Sequence, residues 1–147
     1  MAEDDRISVI EDIMIEGIKA VLPEARVEPR TIPLTEDELK KVLTLAPFVM
    51  IEYNGGNAIA RSESGLTTAT RLAFNVFVGA KSLRSKEEGR RSSYGMLSSV
   101  REALDGVTLS DTDDATRHAG PFAWQSEAIF FDTAGGTIYQ AIYSLDE

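Results

Sequence analysis

The sequence predicts an α+β domain, a mostly antiparallel mixed sheet with helices packed on one face. Three observations carry that expectation. Helix-forming and strand-forming segments do not alternate regularly, as a parallel α/β sheet would require. The longest strand-like segment alternates with period two, and the chain closes with two strand-like segments around a Gly-Gly turn. A length of 147 residues fits a single domain, 1–147. Such a domain buries roughly 68–70% of its unfolded surface and needs no staples to fold.

Residues 7–22 read as an amphipathic helix. Ile7, Ile10, Met14, Ile18 and Val21 recur at three- and four-residue steps, and Pro23 stops the run. Ala25–Ile32 reads as a short edge strand, because Pro29 cannot donate to a central ladder. Thr35 and Glu38 form a capping box that opens a second, short helix before Pro47. Phe48–Tyr53, FVMIEY, has a strand-forming composition; Asn54-Gly55-Gly56 then reads as a turn into a polar, mobile loop over 54–66.

Thr67–Val78 is the longest predicted strand. Thr68, Thr70, Leu72, Phe74, Val76 and Val78 share a face expected to be buried, while Arg71, Ala73, Asn75 and Phe77 share a wetter one. Ser92 or Ser93 caps the second major helix, with Tyr94, Leu97, Val100, Arg101 and Leu104 at helical spacing and Gly106 closing it. Val107–Leu109 reads as a small strand and Ser110–Gly120 as an exposed loop. Phe122–Phe131 and Thr137–Leu145 are strands joined at Thr133-Ala134-Gly135-Gly136.

Composition narrows the function. Apolar residues make up 43% and charged residues 27%, a soluble globular balance. There is no cysteine, which excludes disulfides and thiolate metal sites. The start, MAEDDRISV, is acidic, unlike a signal peptide, and no apolar run approaches the ~20 residues of a membrane span. The expectation is a protein made and kept in a cytoplasm. A net charge of −9 repels nucleic acid over most of its surface.

Catalytic motifs fail one by one. His118 is the only histidine and lies in a polar stretch with no nucleophile beside it, so it reads as a solvated loop histidine. A calcium loop starting at Asp111 would need oxygen, Gly and Glu where Ala115, Thr116 and Phe122 stand. A phosphate loop ending at Lys81 would need glycines where Asn75 and Ala80 stand. None of the 24 carboxylates sits at a spacing that singles it out. No enzyme, cofactor or metal is expected.

One stretch departs from its surroundings: GAKSLRSKEEGRRSS, residues 79–93. Lys81, Arg84, Lys86, Arg90 and Arg91 against Glu87 and Glu88 give +3 inside a chain of −9, which leaves −12 elsewhere. Only Tyr94 is close enough to serve as a stacking platform for a single strand, so nucleic-acid binding by segment 81–91 is the weaker use of these charges. The alternatives are a solvated connector and a protein contact, since Arg is favoured at interfaces.

The order of segments resembles a known family. IEDIMIEGIKAVLP, then FVMIEYNGG, RLAFNVFVGAKSLRSKEEGRR, YGMLSSVREALDG and a terminal IYQAIYSLDE resemble small structural proteins of Mu-like contractile-tailed phages and prophages. These are similar in turn to the tail terminators of long-tailed phages. The resemblance covers roughly Ile7 to Leu145 and contains no catalytic signature. It implies a lambda-type tail-terminator fold and a neck protein. Such a protein forms a ring, typically of six subunits, on the head-proximal end of the tail tube. Its partners would be further copies of itself, the tail tube protein and the head–tail connector, with no membrane and no specific nucleic acid. It would belong to the virion and assemble in the bacterial host cytoplasm.

A ring subunit needs two different complementary patches, and an acidic remainder facing a basic segment would give directional pairing. The double change Arg84→Glu with Arg90→Glu should therefore leave stability within about ±0.5 kcal/mol while impairing ring formation or docking. Denaturation curves and electron microscopy measure the two effects; normal assembly by that variant would remove the basic segment from the interface.

Overall fold

The computed structural model describes residues 5–29, 35–81, 86–114 and 116–147, with 86–90 described by their backbone alone. In chain order the elements are α1 (Arg6–Val21), β1 (Arg26–Pro29), α2 (Glu36–Leu43), β2 (Phe48–Arg61), β3 (Thr67–Lys81), α3 (Lys86–Leu104), β4 (Leu109–Ser110), β5 (His118–Ala119), β6 (Ala123–Thr133) and β7 (Gly136–Asp146). The main sheet has the order β1-β2-β3-β7-β6; β4 and β5 form a separate two-stranded ladder. β1 runs parallel to β2 and the other pairs are antiparallel. This is the α+β class, with the mixed, mostly antiparallel sheet, that the segment order predicts.

Strand β3 is the spine. Leu72, Phe74, Val76, Val78 and Ala80 point into the main core with Ile10, Met14 and Ile18 of α1 and Leu97, Val100 and Leu104 of α3. The alternate residue Phe77 points the opposite way, into a second cluster with Leu39, Val42 and Leu43 of α2 and Phe48, Met50 and Ile138 of the sheet. So α1 and α3 share one face, as expected, whereas α2 covers part of the other. The face predicted to be wetter is accordingly dry at this end: Phe77 is 1% exposed and Asn75 5%. Eight residues of α2 suffice, because Leu39, Val42 and Leu43 lie at helical spacing on one stripe. Thr35 caps that helix by accepting from the Glu38 N–H at 3.4 Å.

Three boundaries differ from the sequence expectation. Asn54-Gly55-Gly56 is no turn: β2 continues to Arg61, and the reversal is a tight loop at 62–66. Gly55, at φ +112, closes a bulge between Tyr53 and Gly55, and a side chain there would be strained. Helix α3 begins at Lys86 and not at Ser92 or Ser93; Ser93 is buried inside it. The 86–91 stretch is polar, so it carries none of the apolar periodicity that marks the rest of the helix. Within 110–120, His118 and Ala119 pair with Leu109 and Ser110, which also moves the small strand from Val107–Leu109 to Leu109–Ser110.

The remaining expectations agree well. Pro23 follows α1, Pro29 lies on the edge strand β1, and Ala134-Gly135 closes the β6–β7 hairpin. The Arg30–Ile32 end of the expected edge strand lies outside the described residues. Gly79 faces the ring of Phe48 across the β2–β3 ladder so closely that an added Cβ would lie 2.2 Å from it.

Phe74 is fully buried, with its ring 5.4 Å from that of Tyr53. Phe74→Ala should cost about 3–5 kcal/mol, whereas Thr35→Ala, which removes one helix cap, should cost about 1 kcal/mol. Urea denaturation of the two variants measures both; comparable losses would contradict the placement of Phe74 at the centre of the core.

Candidate functional site

The basic residues gather at one end of the sheet. Lys81 is exposed at the last position of β3, opposite Gly136. Lys86 and Arg90 lie in the first two turns of α3, and Arg91 follows as an exposed helical residue that is itself engaged by a neighbour. Arg84 lies outside the described residues. Cations at a helix N-terminus oppose the helix dipole, and Glu87 and Glu88 in that turn offset them.

The acidic residues gather elsewhere. Asp12 and Glu16 of α1, Glu28 of β1, and Asp111, Asp113 and Asp114 of the β4–β5 connection line a cleft of about 720 Å³ at the β1 edge. Lys19 and Arg117 share it, at 3.8 Å from Glu16 and 3.5 Å from Asp114. Two of the carboxylates are turned onto their own loop. Asp111 accepts from the Asp113 N–H at 2.9 Å, and Asp114 accepts from the Thr116 hydroxyl and N–H at 2.6 and 3.0 Å. Those bonds from Thr116 hold the Asp114 carboxyl below its ordinary pKa. Among the described residues, no three His, Cys, Asp or Glu side chains are grouped to hold a metal ion. The acidic cleft lies at the sheet's β1 edge, whereas Lys81 is exposed at the end of β3 and Arg91 on α3.

A third feature went unread in the sequence. β7 accompanies β3 only from Lys81 to Arg71, and Glu147 adds a last pair of backbone hydrogen bonds to Thr70. Among the described residues, β1 accompanies β2 from Phe48 to Ile51. The β2–β3 hairpin therefore continues past its neighbours as a two-stranded arm over 59–69. Its tip is held by its own hydrogen bonds. The Ser62 N–H donates to the Leu66 carbonyl at 2.8 Å, and Arg61 Nη1 donates to the Gly65 carbonyl and Thr67 Oγ1 at 3.1 and 3.2 Å. The arm carries two exposed apolar side chains, Ile59 at 40% and Leu66 at 70%. Ala58-Ile59-Ala60 was the available signal, but two glycines just before it masked the strand.

Behind these surfaces the scaffold is locked by polar contacts. Arg101 of α3 lies over the Trp124 ring at 4.0 Å and donates to Glu127 at 2.8 Å, and Trp124 Nε1 donates to the same carboxylate at 3.1 Å. Asp105 accepts from the Trp124 N–H at 3.0 Å. This joins α3 to the outer strand β6. Across the opposite face, Asn75 bridges Glu52 at 3.2 Å and Gln140 at 3.1 Å, linking β2, β3 and β7. Arg6 of α1 forms an ion pair with Glu147 and donates to the His118 carbonyl at 2.7 Å, which ties both chain ends together. His118 has an exposed side chain, and its role here is a backbone one.

Among the described residues, no helix is long and apolar enough to cross a membrane. No family model and no curated protein matches the chain.

Tyr143 is 1% exposed beneath the Arg101 cluster, and burial raises its phenol pKa well above 10 despite the nearby guanidinium. The folded state thus favours the neutral phenol. Its stabilising contribution is complete below pH 10 and is lost as pH rises through the elevated folded value. A spectrophotometric titration near 295 nm, compared between the protein and a Tyr143→Phe variant, should assign to Tyr143 a phenol that ionises only with alkaline unfolding. Tyr143→Phe should remove that late step; a late step surviving in the variant would contradict the assignment.

Proposed function

We propose that the chain is a neck protein of the tail-terminator type from a Mu-like phage or prophage, and that it works by self-assembly rather than catalysis. In this role it forms a ring on the head-proximal end of the tail tube, stops tube growth and presents a surface to the head–tail connector. The ring has six subunits if it follows the family the sequence resembles. The protein is then part of the virion and assembles in the bacterial host cytoplasm.

The observation that carries this proposal is the projecting β2–β3 arm. A two-stranded hairpin alone is marginal in water, and exposed apolar side chains at its end favour a covering surface. The resemblance along most of the chain supports the same role, as does the α+β sheet. The acidic cleft and the basic segment 81–91 belong to different elements of one subunit, and a head-to-tail contact joins two different surfaces. An acidic remainder also repels the phosphates of DNA moving through a ring, so the channel would not grip it.

Purified protein added to polymerising cognate tail tubes should give tubes of restricted length with a ring on one end. Negative-stain electron microscopy reads both. Tubes of unchanged length with bare ends would sink the proposal.

A further inference from the structure

The arm tip and an apolar hollow lie at opposite ends of the molecule. The hollow, of about 310 Å³, is formed by Val21 at the end of α1 and Leu22, Pro23 and Ala25 after it, with Pro47 before β2 and Met96 of α3. Pro47 adjoins the first residue of β2 and the arm tip adjoins its last. At about 3.3 Å per residue, the strand between them spans roughly 40 Å. A chain held in this fold cannot place its own tip in its own hollow.

We infer that the hollow receives Leu66 of a second copy of this chain, so that subunits join head to tail. Leu66 is the most exposed large apolar side chain among the described residues, at 70%. The hydrogen bonds within 61–67 pre-order the tip, which reduces the entropy lost on docking. Charge complements shape. The tip carries Arg61, and Glu24 lines the hollow. Arg61 uses its Nη1 within the tip, and Glu24 forms no ion pair among the described residues. Docking therefore sets Arg61 against Glu24. Because knob and hollow are different surfaces, the contact is heterologous; it closes into a ring or propagates as a filament according to the rotation per subunit.

The inference rests on the proposed self-assembly but makes a narrower claim, and the absence of native cysteine makes it testable. Leu66→Cys and Val21→Cys variants are prepared separately, mixed, and treated with a short bis-maleimide. One sample is concentrated protein alone; the other contains polymerised tail tubes. A Leu66→Cys and Ile129→Cys mixture serves as comparison, since Ile129 is similarly exposed but lies on β6. The expected result is a covalent dimer from the first mixture and little from the comparison. Leu66→Asp should abolish association with thermal stability unchanged. Glu24→Arg should weaken association, and adding Arg61→Glu in the same chain should restore it. Rings without the 66–21 adduct, or an adduct at 129 instead, would overturn the joint and leave self-assembly standing. Monomers in both samples, with no adduct, would overturn both.

Discussion

Burial of β3 on both faces is the constraint on which the rest of the structure depends. A strand buried on both sides needs apolar residues at successive positions, and Phe74 to Ala80 supply them with Asn75 as the single polar interruption. Asn75 is tolerated because Glu52 and Gln140 satisfy both ends of its amide. Two packing layers follow from the alternation: α1 and α3 cover Phe74, Val76 and Val78, and α2 covers Phe77. A one-residue slip of β3 would exchange the two sets and disrupt both layers at once. Register is therefore strongly specified, and so is the direction in which the β2–β3 hairpin leaves the sheet.

The same strand divides the molecule between stability and interaction. From Thr70 onward it sits among β2, β7 and the helices; its first three residues, 67–69, pair with β2 alone among the described residues and belong to the arm. Apolar side chains in the second half are covered, whereas Ile59 and Leu66 at the arm are not. Burial at about 25 cal/mol per Å² favours covering them, and the described residues supply no cover at that end. The polar locks act at the other margins. Arg101, Trp124 and Glu127 hold β6 to α3, and Arg6 with Glu147 closes the two termini. These pairs are partly exposed, so they orient elements more than they add stability.

Helix α1, the Thr35-capped α2, the edge strand at Pro29 and the β6–β7 hairpin were legible because each has a local cause: period, cap, missing donor, turn. The candidate site was legible only in part. The charge contrast of segment 81–91 is visible in the letters, but the helix over 86–91 is not, because its residues are polar and carry no stripe. Nor is the gathering of Asp12, Glu28 and Asp111 in one cleft, since those residues lie far apart in the chain and meet only when α1, β1 and the β4–β5 connection pack together.

The sequence by itself determined the class, the single apolar-rich central strand, most element ends and the absence of thiol chemistry, because local periodicity and residue type decide these. Only the tertiary structure decided that 54–61 is strand rather than loop. Gly55 and Gly56 read locally as a turn, yet the ladder with Arg71 to Ala73 supplies backbone hydrogen bonds that a free loop would leave to water. It also decided that α2 covers the second face and that Leu66 and the Val21–Met96 hollow lie at opposite ends. Those are matters of which distant surfaces meet, and packing sets them where no single stretch of residues can.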